Sequence, residues 1–522
     1  MNCISTKALI NTIDVSKQRK LGAMLSYVNI ALNMLVAVAY TPVMLRLLGQ
    51  SEYGLYSLSS SIISYLGLLG FGLSSGYIRF YSLVKAKNDE TGIAKLNGMF
   101  LLILSAIALI AFIAGCTIAL NLGFVMNHKL SLIEMSKMRI MVFLLSVNLA
   151  LSFPSELVNA YATVHECFVF QRLLQIAQTA AKPIVTIPLL LMGYASIGMT
   201  VVAVFVHISA MLVLTWFCLK KLKMRFVFTS LNWSLFSEIV VFSSYIFMNF
   251  IVDRVNWSVD SYLIGIFHGT AAVGIYSVAA LIAQQYNGFS TAVSNVFVPK
   301  VNMIVSTTND NRELTELFTK VGRVQFYIIA LILICFVFLG HPFIVMWAGK
   351  NYSTAYLMTL LLIVPVTIPL VQNLGIEIQR AKNMHKFRSV VYTLMAGANL
   401  LISIPLCKVY GGVGAAAGTA LALILANGFI MNWYYHFRIR IDVVYFWRGI
   451  ADILPALFPP VFAGIVLVKF FNTYCISHFL LGACLLVCVY IASVWLFAFN
   501  DFEKNLVLPF IRKIAVKAGI IR

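Results

Sequence analysis

The chain has 522 residues, of which 61% are hydrophobic and 11% charged, with a mean hydropathy of +0.92. A soluble globular domain carries about 25% charged residues, so this composition excludes a soluble protein and points to an integral membrane protein. The net charge of +20 would suit a nucleic-acid partner. Lys and Arg gathered in cytoplasmic loops produce the same excess, so no nucleic-acid partner is expected.

Apolar segments of about 20 residues recur along the chain, which makes the spans helices rather than barrel strands. Residues 1–21 are polar and basic and read as a cytoplasmic N-terminal tail. Fourteen spans are expected. The first six lie near 22–46, 54–80, 98–121, 139–163, 169–192 and 197–219. The next six lie near 239–267, 274–298, 324–346, 355–376, 389–407 and 413–435, and a last pair near 453–471 and 478–499. Residues 22–225 form a predicted N-lobe, 226–440 a C-lobe, 441–499 the terminal pair, and 500–522 a cytoplasmic C-terminal tail. Basic residues collect in alternate loops, among them Lys85, Lys87, Lys220, Lys221, Arg380, Lys386, Arg438 and Arg440. The intervening loops are nearly free of them, which predicts that both termini face the cytoplasm. Nine cysteines are scattered without CxxC pairs or metal-ligand spacing. Those in apolar runs (Cys116, Cys218, Cys335, Cys484, Cys488) read as small core residues.

The two predicted lobes resemble each other. At a shift of 220, Asn29 meets Asn249, Asn33 meets Asp253 and Gly49 meets Gly269; Gly54-Leu-Tyr56-Ser57 falls on Gly274-Ile-Tyr276-Ser277. At a shift of 217, Thr186-Ile-Pro-Leu189 falls on Ser403-Ile-Pro-Leu406, and each is followed by a Gly-rich turn. A six-span unit brings both copies in from the same side, a parallel repeat with the substrate pathway expected between the halves.

Polar residues inside spans are the functional candidates. In the seventh span, Asn249, Asp253, Asn256 and Asp260 lie on one stripe at helical spacing, with Arg254 beside Asp253. Each ionised group near a helix centre costs roughly 2.5–3.5 kcal/mol on insertion scales, so the stripe needs a compensating role. A partner on a neighbouring helix is one such role and a hydrated cavity is the other. Lys182 precedes Pro183 in the fifth span, either as a cavity cation or as a charge paired to another span. Arg79 ends the second span, where snorkelling competes with ligand binding. Asn33 is the neutral counterpart of Asp253. No phosphate loop, GxSxG or HExxH pattern occurs, so neither an enzyme nor a resident cofactor or metal is expected.

The segments LRLLGQSEYGLYSL (45–58), FGLSSGYIRF (71–80) and VDSYLIGIFHGTAAVGIYSVA (259–279) resemble bacterial oligosaccharide flippases. These belong to the multidrug/oligosaccharidyl-lipid/polysaccharide exporter superfamily. The resemblance implies an all-α polytopic membrane protein with two parallel six-helix lobes and a terminal helix pair. It also implies an inner-membrane flippase carrying an undecaprenyl-diphosphate-linked oligosaccharide (an O-antigen, capsule or exopolysaccharide unit) to the periplasmic leaflet. A cationic cavity would receive the diphosphate, with Arg254, Lys182 and Arg79 as its cations and Asn33, Asn249 and Asn256 as amides for the sugars. Proton or sodium coupling would fall to Asp253 or Asp260. Where the family's second lobe often has a basic residue after that last aspartate, this chain has Ser261. A monomer working beside a polysaccharide polymerase and a chain-length regulator is the expected setting. The alternatives are a multidrug or cation antiporter of the same superfamily, a lipid II flippase, or a membrane-bound polysaccharide polymerase or ligase. The last would need a sizeable outward loop, and none is visible.

Overall fold

Long apolar runs between short polar punctuation leave the backbone one way to satisfy its hydrogen bonds in lipid, which is to coil. A computed structural model describes the backbone of residues 15–70, 72–126, 130–229, 233–384, 386–500 and 503–504. The side chains of 240–258, and a few near residues 15–27, 125 and 233–236, lie outside the described residues. The described residues contain helices and no strand.

The chain divides into two compact units, Met1–Ser277 with Ser403–Ala415, and Val278–Ile402 with Ala416–Arg522. The first holds α1 (Val15–Leu66), α2 (Leu73–Ala86), α3 (Glu90–Leu120), α4 (Leu132–Val164), α5 (Phe168–Leu191), α6 (Ala195–Lys220) and the first part of α7 (Trp233–Thr307). Helix starts follow local chemistry. Asp89 caps α3 by accepting from Gly92 N at 2.7 Å, and that bond with the Thr91 hydroxyl holds its carboxyl below the usual range. Ser131 and Glu134 form a reciprocal capping box on α4. The core gathers Tyr77, Phe100, Leu104, Phe153 and Leu157. Tyr77 donates to Asn97 Oδ1 at 2.6 Å, and Asn97 donates to Arg225 O at 2.9 Å, so the loop after α6 is tied back onto α3.

The second unit holds the rest of α7, then α8 (Asn311–Trp347), α9 (Ala355–Val371), α10 (Asn373–Ala381), most of α11 (Lys386–Leu423), α12 (Val443–Ala451), α13 (Phe458–Phe470) and α14 (Ile476–Phe497). Beyond α11 the chain continues in π-helical turns, Ile424–Met431 and Tyr435–Ile439. There Asn432 Nδ2 donates to the carbonyls of Asn427 (2.7 Å) and Gly428 (2.9 Å), groups that a widened turn leaves to be satisfied. The terminal pair packs on α8: Ala330 and Ile334 meet Ala456, Tyr490 and Val494, while Leu339 meets Leu467 and Leu486. Arg323 on α8 is buried and bidentate to Glu503, through Nε to Oε1 (2.7 Å) and Nη2 to Oε2 (3.0 Å).

Ten helices among the described residues are long and apolar enough to cross a membrane, or eleven when the pair Ala355–Val371 and Asn373–Ala381, bent by 43°, counts as one. Three of these runs, of 63, 49 and 54 residues, exceed the roughly 20 residues of one crossing. Each is two helices joined at a non-helical glycine, Gly49, Gly269 or Gly411, which is where reading in windows of one bilayer thickness places a boundary between two spans. Large apolar side chains on these helices stay uncovered by protein, Leu109, Ile184, Phe205 and Phe462 among them, as lipid contact requires. Cys484 and Cys488 are exposed on α14 and join that surface rather than the core, no helix among the described residues covering them, whereas Cys218 is fully buried.

Candidate functional site

The shift of 220 reappears as geometry inside the first unit. Gly49 (φ 73°, ψ 179°) and Gly269 (φ 79°, ψ −176°) break α1 and α7 in the same way, a backbone state that a side chain resists. Just beyond them the two copies cross. A Cβ on Gly54 would lie 1.8 Å from Thr270 O, and one on Gly274 would lie 2.4 Å from Gln50 O. Ser57 and Ser277, 220 residues apart, share a hydrogen bond of 2.5 Å between their hydroxyls. Cysteines at both positions are expected to join into a disulfide under mild oxidant, since the two hydroxyl oxygens already touch. With a protease site placed in the loop after α6, the two fragments should stay together on a non-reducing gel. Separate fragments would mean that the crossing does not form.

Two carboxylates brace this crossing. Glu52 pairs with the Lys137 ammonium and accepts from the Ser196 hydroxyl, joining the first turn past Gly49 to α4 and α6. Glu134 accepts from the Thr270 hydroxyl at 2.6 Å, joining α4 to the turn past Gly269. His268 Nε2 donates to Cys407 O at 2.7 Å, which holds the Ser403–Ala415 segment to the same place. Sequence reasoning passed over Glu52, Lys137 and Glu134. The available signals were the S-x-x-E box at Ser131 and an acidic residue three positions past a repeat glycine.

The predicted candidates separate into groups. Asp260 is 1% exposed and accepts from Tyr276 OH at 2.6 Å, within its own helix pair across the Gly269 kink. Asn249, Asp253, Arg254 and Asn256 stand on the helical backbone of α7, and their side chains lie outside the described residues. Arg79 is exposed midway along α2, its guanidinium 5.9 Å from the Phe80 ring centroid.

Asn33 and Lys182 belong to one patch. On α1, Asn29, Asn33 and Tyr40 share a stripe, the first-copy equivalent of Asn249, Asp253 and Asp260. On α5, Thr179, Lys182 and Thr186 share another, at i, i+3 and i+7. The two stripes meet: Thr179 Oγ1 donates to Asn29 Oδ1 at 3.4 Å, and Tyr40 hydrogen-bonds Thr186. Asn33 Nδ2 donates to Asn29 O at 2.8 Å. Lys182 is exposed between the two threonines, and among the described residues no carboxylate pairs with it. An ammonium on the same helix face as hydroxyls, with amides on the helix that face meets, is the chemistry that binds an anion attached to polyols. No group of His, Cys, Asp and Glu among the described residues could hold a metal ion.

Residues 43–357, more than half of the chain, match the family described as polysaccharide biosynthesis protein. The chain is similar to a Shigella flexneri protein described as "Putative O-antigen transporter", 20% identical over 78% of this chain and 94% of that one. It is also similar to the membrane protein EpsK of Bacillus subtilis (strain 168), described as uncharacterized, at 22% identity over 77% of this chain and 80% of that one. Among solved structures, the lipid II flippase MurJ in an inward closed conformation aligns with a TM-score of 0.71 at 14% identity, over 93% of this chain and 99% of that one. An inward-facing multidrug resistance transporter of the MATE family aligns with a TM-score of 0.60 at 11% identity, over 80% and 98%. At such identities the structures speak for the fold alone. The chain is a multi-pass membrane protein that belongs to the polysaccharide biosynthesis protein family, with the fold seen in solved structures of the multidrug/oligosaccharidyl-lipid/polysaccharide exporter superfamily.

Proposed function

We propose that this protein is a flippase, not an enzyme, and that it moves an undecaprenyl-diphosphate-linked oligosaccharide from the cytoplasmic to the periplasmic leaflet of a bacterial inner membrane. The observation that carries this reading is Lys182, a cation in the middle of a membrane helix, left uncovered by protein on the same helix face as Thr179 and Thr186. Facing hydrocarbon there would cost roughly 2.5–3.5 kcal/mol, so the ammonium belongs to a hydrated recess. A diphosphate cannot cross lipid unaided, because burying its unpaired charge costs many kcal/mol. Lys182 offers it a counter-charge, and Asn29, Asn33 and Tyr40 offer donors and acceptors to the attached sugars. The family match and the O-antigen relative support the same cargo class. Arg254 and Arg79 are the further cations assigned to the substrate, and Asp253 and Asp260 the groups assigned to a coupling proton or sodium ion. The basic loops support an arrangement with both termini inside.

The test is complementation in cells lacking their own O-unit flippase, reading surface glycan against lipid-linked intermediate. Lys182→Ala and Arg254→Ala are each expected to cut surface glycan by at least about tenfold, the loss of one charge-assisted contact, with protein level unchanged. Lys182→Arg should retain export. Full export by Lys182→Ala would remove that residue from substrate binding.

A further inference from the structure

A cavity of about 370 Å³ opens within the second unit. Its walls come from the last turns of α8, the start of α9, and the connection between α13 and α14. His341 stands edge-on between two tyrosines, with ring centroids 5.7 Å from Tyr356 and 6.1 Å from Tyr474 and interplanar angles of 85° and 84°. His341 Nδ1 and the Tyr474 hydroxyl are hydrogen-bonded at 2.9 Å, and Tyr356 OH donates to Val337 O at 2.6 Å. The rings are therefore held before any ligand arrives. Phe471 adds a further aromatic face, about half exposed like that of Tyr474.

The polar groups of this cavity have capacity left over. Asn472 Oδ1 accepts from Tyr474 N at 3.2 Å, which fixes the loop and leaves both Nδ2 protons for another acceptor. Thr473 lines the cavity, is 5% exposed, and its hydroxyl has no partner among the described residues. That hydroxyl is open to the cavity and can donate to or accept from a molecule within it. Among the described residues no Lys, Arg, Asp or Glu lines the cavity, so a phosphate would meet no counter-charge from them.

We propose that this cavity binds one pyranose ring of an uncharged sugar. A pyranose presents a C–H face that suits the electron-rich face of an aromatic ring, and a rim of hydroxyls that suits an amide, a hydroxyl and an imidazole. The volume lies in the range of small-molecule sites. An acyl chain would make no use of the Thr473 hydroxyl or the Asn472 amide, and an anion would be unpaired. In the proposed orientation the α13–α14 connection lies on the periplasmic side, where a flipped glycan is delivered. Assigning the bound sugar to that glycan rests on the flippase reading; binding of a sugar as such does not.

The experiment is saturation-transfer NMR on the full chain in nanodiscs free of glycoside detergents. The probes are the methyl α-glycosides of glucose, galactose, mannose and N-acetylglucosamine. At least one should bind saturably, and Tyr474→Ala and Thr473→Val should each weaken it by about tenfold, equivalent to one lost stacking face or hydrogen bond. Ser477→Ala, whose hydroxyl contacts Cys475 outside the cavity, should change nothing. No saturable signal from any glycoside, or a signal equal in both cavity variants, would overturn the assignment. So would displacement of the glycoside by inorganic pyrophosphate or by oleate. If glycosides bind while Lys182→Ala leaves export intact, the transport reading falls and the cavity stands. If they fail to bind while Lys182→Ala abolishes export, the cavity alone falls.

Discussion

Gly54→Val is expected to abolish glycan export and to lower the amount of folded protein, the largest functional effect of any single substitution proposed here. The obstacle is backbone: a Cβ at Gly54 would sit 1.8 Å from Thr270 O and 2.8 Å from Gly274 N. Overpacking against side chains costs about 1–3 kcal/mol because they can turn aside, and a carbonyl on a helix cannot. Gly274→Val meets Gln50 O in the same way from the other copy and should behave alike. Gly288→Ala on α7 is the control, since a Cβ there meets nothing within 4 Å. The readouts are surface glycan in complemented cells and the thermal midpoint of the detergent-solubilised protein. A Gly54→Val protein that melts and exports like the parent would show that the two helices do not cross this closely.

The second large effect falls on stability. Arg323 donates to both Glu503 oxygens, to Tyr327 OH (2.8 Å), to Ala498 O (2.8 Å) and to Gly449 O (2.6 Å), so one guanidinium ties α8 to α12 and to the chain beyond α14. Glu503→Gln keeps the shape and removes the charge, leaving a buried cation uncompensated. Breaking such a pair on one side costs about 3–5 kcal/mol. Replacing both partners, as in Arg323→Met with Glu503→Leu, should recover much of that loss, because neither charge is then left in a poor solvent. Thermal midpoints of the single and double variants measure this. Equal midpoints for Glu503→Gln and the parent would show that the ion pair is not buried in the membrane-inserted protein.

How far the sequence could be read depends on what each feature requires. The repeat was legible because the signs of a kink are local: Gly49 and Gly269 need no distant partner to adopt a positive φ, and Gly-x-Tyr-Ser follows each at the same distance. The polar stripe on α1 was visible for the same reason, since helical periodicity places Asn29, Asn33 and Tyr40 together whatever surrounds them. The number of spans was less legible. Windows of one bilayer thickness divide α1, α7 and α11 into halves, and in the structure each is two helical stretches joined at a non-helical glycine, so the count depends on whether a kinked run is taken as one span or two.

The partner of each polar group was hidden. Asp260 and Tyr276 lie 16 residues apart with the Gly269 kink between them, so the phenol returns to the carboxylate only if the kink turns the chain back. In the first copy Tyr40 occupies the equivalent place, and it bonds Thr186 on α5. Glu52 finds Lys137 85 residues away and Ser196 144 residues away. No periodicity encodes such distances.

By itself, the sequence determined that this is a membrane protein of coiled spans, duplicated, with its charges sparse and its breaks at glycines. Hydrophobicity and backbone sterics act residue by residue, so those properties can be read residue by residue. Only the tertiary structure decided that Gly54 meets Gly274, that Lys182 stands uncovered beside the α1 stripe, and that His341 and Thr473 share a cavity. Those are distances between helices, and they depend on which apolar faces pack and on how far each kink swings the chain.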